Sequence, residues 1–512
     1  MAFEFPVLSR VQQSSFAFFS PTKRPSTTAK FFSLSSHPCR AKPRAPSISS
    51  SHFVFLNDFD KIYPKPSLLC TFRTSKRRSF SATTTMPEFP YVIVGGGNAS
   101  GYVVRTLVEN GVAGSDICLV GSEEKHPYER PALTKAYLHA PGSKVRARLP
   151  GFHTCVGGGG ERQTPEWYGE KGVTVKLGTK VTALDSGKKC VSTSSNEEIT
   201  AQKALFVATG CNPRIFDMYK GSNVSLVRNE ADCAALVSSM EGGKDLKLVV
   251  VGGGYIGLEV TAAAVGWGEN LASVTILNMD PMCLQRIFWD APEFSKMLQA
   301  SVESESHPVK CTVKNGIKIS NVVKSADGKI TAIETEDGAS YPCDLVVLGL
   351  GATPATEFMP KESLSSRGYI NVDSSLKFAD GCFALGDCCS FPLQGEETVF
   401  EHVFHARASA KHAALTALGQ TADAYSPMSF FYSRMFEYSD KPLIWNMWGT
   451  RTSNAAPHLE KKDNGFTCVW VEGGKCVSAC IMMQNPAPTQ EQLDACKALI
   501  GQPYPAAART KL

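Results

Sequence analysis

Two glycine-rich turns of one design sit in this chain, Tyr91-Val-Ile-Val-Gly-Gly-Gly-Asn-Ala-Ser-Gly101 and Leu248-Val-Val-Val-Gly-Gly-Gly-Tyr-Ile-Gly257. In each, a β-branched run reads as a buried strand and the glycines make a tight turn. The helix that follows aims backbone N–H groups at a pyrophosphate. One such match is a weak signal, but a strand-preceded pair predicts two bound nucleotides.

The 512 residues exceed the usual single-domain ceiling, and a 43% hydrophobic content is ample for large cores. Net charge is only +5, and no uninterrupted apolar run reaches the ~20 residues of a spanning helix. Neither nucleic acid nor a membrane span is therefore expected as a partner. Residues 1–85 are rich in Ser, Thr, Pro, Lys and Arg, with only Glu4, Asp58 and Asp60 as acids. That composition reads as a disordered organelle transit peptide. The serine-rich start suits a plastid, and Arg73-Thr-Ser-Lys-Arg-Arg-Ser-Phe-Ser81 has a mitochondrial look, so chloroplast targeting with a mitochondrial share is expected. The 17 cysteines are scattered. Neither Cys388-Cys389 nor Cys476-x-x-x-Cys480 has zinc-type or redox spacing, so buried thiols and no metal are expected.

The rest of the chain fills out two nucleotide folds. Ile117–Val120 is a short strand, and Glu123 lies about 20 residues past the first turn, where an acid accepts from a ribose. In the second fold, the strand Ser273–Leu277 leads to Asp280, an acid that repels a 2′-phosphate. It favours NADH over NADPH, a preference that Arg286 softens. Lys203–Gly210 and Asp344–Gly351 read as closing strands, and Gly381–Asp387 is a later strand ending in Gly-Asp. Asp387 would approach a flavin's ribityl chain. Gly157–Gly160 has no strand before it and reads as a loop. From about Tyr425 the aromatic text and alternating segments predict a smaller α+β domain.

The predicted architecture is thus α/β: two Rossmann-like nucleotide-binding domains, the NAD domain inserted into the FAD domain, plus a smaller C-terminal α+β domain. The divisions fall at 86–215 and 353–424 for FAD, 216–352 for NAD(P)H and 425–512 for the last. Disulfide-reducing enzymes of this kind carry a redox cysteine pair past the first ribose acid. The segment 123–140 has none, so electrons are expected to pass directly from FAD to the acceptor.

Several long strings carry a closer resemblance: Pro127-Tyr-Glu-Arg-Pro-Ala-Leu-Thr-Lys-Ala-Tyr137, Arg148-Leu-Pro-Gly-Phe-His153, Gly253-Gly-Tyr-Ile-Gly-Leu-Glu259, Glu401-His402-Val403 with His405-Ala-Arg407, and Phe431-Tyr-Ser-Arg434. Together they resemble the plant monodehydroascorbate reductases, and Thr154–Thr164 is similar to the organellar forms. The likeness runs from about Tyr91 to Phe436. It implies that Gly96, Gly97, Asn98, Ala99, Glu123, Arg130, Lys135, Arg228, Asp387, Val403 and Tyr432 bind FAD. It implies that Gly253, Gly254, Tyr255, Ile256, Gly257, Leu258, Glu259, Asp280, Arg286, Gly351, Glu401 and His402 line the NAD(P)H site. For an anionic radical substrate it implies Arg407 and Arg434, whose forked guanidinium groups hold paired oxygens, with Tyr432 as the catalytic residue on the flavin side.

The chain also departs from that family. Where the family has Arg-Val-Glu-His-Val-Asp-His-Ala-Arg, this chain reads Val399-Phe-Glu-His-Val-Phe-His-Ala-Arg407, so Val399 replaces an arginine and Phe404 an acid. The family's Trp-Gln-Phe-Tyr-Gly appears as Trp445-Asn-Met-Trp-Gly449, and its usual glutamate is Asp280. The expected activity is electron transfer from NAD(P)H through FAD to the monodehydroascorbate radical. Two rival readings share the fold: a reductase serving a small redox protein, in the manner of ferredoxin or rubredoxin reductases, and a redox-signalling flavoprotein like apoptosis-inducing factor. Nothing in the sequence demands more than a monomer.

Overall fold

The structure is a computed structural model that describes residues 87–143, 145 and 161–504. The transit-peptide expectation, the string Arg148–His153 and the loop Gly157–Gly160 lie outside the described residues.

The first glycine turn leaves a strand, Glu88–Val94, whose Tyr91–Val94 end is fully buried. Burial on both faces is what a run without alternation predicts for a parallel sheet. It pairs in parallel with Ile117–Val120 on one side and with Glu198–Val207 on the other. The 8-stranded sheet runs in the order Lys377–Ala379, Cys382–Ala384, Glu198–Val207, Glu88–Val94, Ile117–Val120, Thr174–Lys176, with Val181–Asp185 and Cys190–Thr193 attached beside it. Cys382–Ala384 enters this sheet in parallel with Glu198–Val207 only after the chain has built the whole second sheet. The second nucleotide fold is therefore an insertion in the first, as the order of the motifs implied.

That second sheet has 5 strands in the order Lys310–Lys314, Leu271–Leu277, Leu246–Val251, Leu345–Leu348, Val224–Ser225. The expected closing strands are there, although the first starts earlier, at Glu198, than its apolar run suggested. An antiparallel sheet of three strands, Ile319–Lys324, Ile330–Thr335 and Ser340–Pro342, precedes Leu345–Leu348.

The last 5-stranded sheet is antiparallel: Phe430–Met435, Leu443–Gly449, Lys475–Met483, Gly465–Glu472, Ala456–Lys462. A helix, Gln490–Ala498, follows, started by a capping box in which Thr489 and Gln492 satisfy each other's backbone N–H groups. This sheet shares one core with the second nucleotide fold. Trp445 and Trp470 are buried against Phe288 and Phe294, with ring centroids 5.5 Å apart for Phe288–Trp445 and 6.5 Å for Phe294–Trp470. Burying each such indole contributes on the order of 3 kcal/mol. Arg451 adds a polar tie: its guanidinium lies between the Trp289 and Trp470 rings, 4.2 and 4.1 Å from their centroids, and pairs with Asp290 at 3.0 Å. The strand that carries Tyr432 and Arg434 is thereby fixed to the fold that carries Asp280.

Candidate functional site

Glycine is required at the first position of each turn. Gly95 has φ +124°, and a Cβ there would sit 2.3 Å from the Ala208 carbonyl oxygen at the end of the closing strand. Gly252 has φ +116°, and its Cβ would lie 2.4 Å from the Gly349 oxygen. The two turns repeat one solution to bringing the backbone against a neighbouring strand.

The helices they start, Asn98–Glu109 and Tyr255–Ala264, have Gly97 and Gly254 as N-caps, no side-chain cap and no acid in the first turn. Helices beginning after Thr164, Asn229 and Thr489 do have side-chain caps. Uncapped N–H groups at two glycine turns are donors suited to an anionic ligand, so the residues present fit dinucleotide phosphates.

The first cradle opens into a cavity of about 450 Å³, within the usual range of small-molecule sites. Its walls include Gly96, Gly97, Asn98, Ala99, Glu123, Arg130, Lys135, Arg228, Asp387, Val403 and Tyr432. Every residue that the resemblance assigned to FAD is thus brought to one place. Tyr255, Ile256, Glu259, Glu401 and His402, assigned to the nicotinamide nucleotide, line the same cavity. Gly253, Gly254, Gly257, Leu258, Asp280, Arg286 and Gly351 do not. They belong to the second cradle and its surroundings: Leu258 is packed in the core, Arg286 is exposed, and the Gly351 carbonyl accepts the Arg214 N–H at 2.9 Å.

The cavity is rich in arranged charge. Arg130 pairs with Glu123 and donates to Tyr128 Oη at 3.2 Å and to the Arg228 carbonyl at 3.0 Å. Tyr128 Oη in turn donates to Glu123 at 2.9 Å. Glu123, the expected ribose acid, is thus held in place before any ligand arrives. Burial drives the Asp387 carboxyl up to about 6, a shift that nearby Arg228 opposes and Glu401 reinforces. Burial also drives His402 down to about 4, helped by the charges of Lys135 and Arg407. His402 is therefore a neutral imidazole. Its Nδ1 accepts the Phe404 N–H at 3.2 Å, capping the helix Val403–Ala417, and so the ring proton sits on Nε2.

Two buried carboxylates tie these parts together. Glu259 pairs with Lys135 at 2.7 Å and accepts from Thr134 Oγ1 and, at 2.6 Å, from Ser433 Oγ. Its carboxylate is committed to joining the Arg130 loop, the second cradle helix and the strand between Tyr432 and Arg434. It stands as a positioning group within the nicotinamide set. Glu129 accepts from Asn98 at 2.6 Å and Tyr102 at 3.1 Å and pairs with Arg407 at 2.9 Å. Glu129 and Ser433 stand inside the strings that carried the resemblance, but no spacing rule marks either one out. A glutamate beside Arg130 was the only available signal.

The two arginines expected at the substrate are not walls of the cavity. Arg407 lies over the Tyr102 ring, 5.7 Å from its centroid, with most of its side chain buried. Its charge is near enough to Tyr432 for each to act on the other. Arg434 alternates with Ser433 on its strand, so it points outward, half exposed, and pairs with Glu437 at 2.8 Å.

No cysteine lines the cavity, and every described cysteine is buried and free of disulfides. Burial pushes Cys118, Cys283 and Cys311 up to about 12, far from thiolate chemistry at neutral pH. Among the described residues no group of three or more His, Cys, Asp or Glu is placed to hold a metal, and no helix is long and apolar enough to cross a membrane.

Two parallel nucleotide folds, one inserted in the other and sharing a cavity with a C-terminal sheet, define an oxidoreductase that uses FAD and a nicotinamide nucleotide. The chain belongs to the pyridine nucleotide-disulphide oxidoreductase family, whose model matches residues 89–410. It is 39% identical over 432 residues to the chloroplastic/mitochondrial monodehydroascorbate reductase of Arabidopsis thaliana, covering 82% of this chain and 84% of that one. It is 41% identical over 374 residues to the chloroplastic monodehydroascorbate reductase 5 of Oryza sativa, covering 70% and 72%. Among solved structures it is similar to putidaredoxin reductase in its covalent complex with putidaredoxin, with a TM-score of 0.68, 25% identity and coverage of 81% and 93%.

Proposed function

We propose that this protein reduces the monodehydroascorbate radical to ascorbate with electrons from NADH, NADPH being the weaker donor, through FAD held in the first cradle. One turnover joins NADH, a proton and two radicals to give NAD⁺ and two ascorbates. The observation that carries this reading is the shared cavity. Walls from the first cradle, from the second cradle helix at Tyr255 and Ile256, and from the C-terminal strand at Tyr432 meet there without a cysteine among them.

FAD bound in that cavity supplies the conversion of a two-electron donation into single electrons. The chain's own residues do the rest. Arg130, Arg228 and Lys135 set positive charge around the phosphate positions, and Glu123 receives a ribose. Tyr432 closes the cavity toward the acceptor. Arg434, half exposed on the strand that carries Tyr432, and Arg407, whose charge reaches Tyr432, are the cations that draw the anionic radical to the acceptor side, and a guanidinium does so without losing its charge. No nucleophile or general base is needed for electron transfer itself. The organellar names of the relatives and the composition of residues 1–85 support work in the chloroplast, with a share in the mitochondrion.

The likeness to putidaredoxin reductase favours a second reading, donation to a small redox protein. The test is steady-state NADH oxidation with ascorbate plus ascorbate oxidase as the radical source, beside ferredoxin and ferricyanide. Reduction of the protein acceptor with no response to the radical would overturn the first reading. Arg407→Ala should raise the KM for the radical about ten- to a hundredfold, the worth of a hydrogen bond to a charged group, with ferricyanide reduction kept. Loss of both activities together would make Arg407 structural, a brace for Glu129.

A further inference from the structure

Glu401 shares the cavity wall with Asp387 and with Tyr255 and Ile256 of the second cradle helix. Two positions before it stands Val399, where the family has an arginine. The hydrogen bonds that its carboxylate accepts among the described residues come from neutral groups, and both reach one oxygen. Tyr369 donates its hydroxyl to Glu401 Oε1 at 2.7 Å. The Cys211 thiol lies 3.5 Å from that oxygen but 3.1 Å from the Asp387 carbonyl oxygen. A thiol has one proton and is a weak donor, so the nearer carbonyl takes it. Tyr369 is therefore the firm partner of Oε1, while Oε2 accepts nothing from the described residues. Tyr369 is held to this task by its own backbone. Its carbonyl oxygen accepts the Ser365 N–H at 2.8 Å, and its N–H reaches Ser365 Oγ at 3.3 Å, closing a turn. The next residue, Ile370, pairs in parallel with Cys389, two positions past Asp387. Burial, and after it the hydrogen bond to Glu401, holds the phenol above its ordinary range, so it remains a donor at neutral pH. Tyr369 is not itself a wall of the cavity, so its effect on a ligand passes through Glu401.

We propose that Tyr369 is a positioning residue for the nicotinamide nucleotide: it occupies Oε1 of Glu401 and leaves Oε2 facing the cavity as an acceptor for the N–H₂ of a carboxamide. This rests on the function proposed above, with Glu401 in the nicotinamide site, and deepens it. A carboxylate only accepts, and a carboxamide carries two N–H donors. A carboxylate free to rotate loses rotamer freedom when a ligand binds, and one already anchored loses less. The consequence is selectivity. The site distinguishes a carboxamide from a ring substituent of similar size that has no N–H, because the second leaves an acceptor covered by the ligand and unpaired.

The experiment is calorimetric titration of the FAD-loaded protein with NAD⁺ and with its 3-acetylpyridine analogue, in which a methyl group replaces the amide N–H₂. It compares the wild type, Tyr369→Phe, Glu401→Ala and the double variant. Phenylalanine keeps the ring beside Arg367, whose guanidinium lies 5.3 Å from the ring centroid, and removes only the hydroxyl. Tyr369→Phe should raise the Kd for NAD⁺ roughly three- to tenfold, part of the worth of a hydrogen bond to a charged group, and change the Kd for the analogue less than about twofold. In the Glu401→Ala background the same change should weaken NAD⁺ no further, because residues that act through one another are not additive. Equal weakening of both ligands would make Tyr369 a structural brace and overturn the proposal. So would NAD⁺ binding untouched by Tyr369→Phe, or an added loss in the double variant. The proposed function fails separately: a wild type that oxidises NADH with ferricyanide but ignores the monodehydroascorbate radical would overturn it, while the selectivity set by Tyr369 would stand.

Discussion

The two glycine cradles share a backbone and differ in everything placed around it. At the end of the strand beside the first stands Gly121, whose Cα would lie 3.5 Å from a Cβ on Gly96, so this position offers the turn no side chain. At the matching place in the second stands Asn278, which accepts the Gly253 N–H at 3.2 Å and donates to Asn315 at 2.8 Å. The acids differ in the same sense. Glu123 is locked by Arg130 and Tyr128, while Asp280 sits in the opposite fold beside Met279, which is 72% exposed. The first site is built in advance around a resident group, the pattern that lowers the cost of binding. At the second, the neighbour of the acid is open to solvent, as suits a ligand that must enter and leave at each turnover. One motif thus supports either lifetime, and the side chains placed around it decide which.

The sharpest way to break that contrast is at the first glycines, where both cradles are equally strained and the consequences should differ most. Gly95→Ala forces a Cβ against the Ala208 carbonyl at a backbone angle that alanine rarely adopts. Purified protein should retain little flavin, read as flavin absorbance per chain, and should unfold at lower temperature. Gly252→Ala meets the Gly349 carbonyl in the same way. It should keep its flavin and lose reduction by NADH, while dithionite still bleaches the flavin. Equal flavin loss in both would mean that the two folds are one cooperative unit and that the contrast of lifetimes is wrong.

The acids give a smaller effect. Glu123→Gln leaves the Arg130 guanidinium, mostly buried, without its carboxylate. Discounted for its partial exposure, the loss should cost on the order of 1–3 kcal/mol. It should appear as faster release of FAD on dilution, measured by the recovery of free-flavin fluorescence. Asp280→Ser should leave flavin retention untouched and raise kcat/KM for NADPH relative to NADH by about tenfold, through removal of one repulsion near the 2′ position. A Glu123→Gln protein that holds FAD as firmly as wild type would show that the prearranged pair is ornamental.

How much of this could be read beforehand differs between fold and site. The sheets were legible because both faces of each central strand are buried, as in Tyr91–Val94 and Leu248–Val251, which leaves an unbroken apolar signature. The insertion was legible from motif order alone. The three-stranded sheet around Ile330–Thr335 was not, because its alternating strands are short and half exposed. At the site, the residues assigned to FAD line one cavity, whereas Asp280, Arg286, Arg407 and Arg434 are not among its walls. Glu129, Thr134 and Ser433 were missed because their partners lie as far as 278 positions away, for Arg407 and Glu129. A hydrogen-bonded carboxylate announces itself only once the chain is folded.

The finest distinction between the cradles is one position, and exchanging it tests how closely each helix is packed on its strand. Gly257 is the last glycine of the second turn, and a Cβ there would come within 2.2 Å of the Gly252 carbonyl oxygen. The first turn has Ser100 at the same place, completely buried, with its Oγ lacking a hydrogen-bond partner. Gly257→Ser should therefore displace the helix Tyr255–Ala264 and weaken NADH binding severely. Ser100→Gly should be nearly neutral. Glycine in a helix costs about 1 kcal/mol, but removing an unpaired buried hydroxyl returns much of that. The measurement is thermal unfolding of the two variants with flavin content determined in each. A large loss for Ser100→Gly would mean that its hydroxyl has a partner when FAD is in place, making Ser100 part of the flavin site.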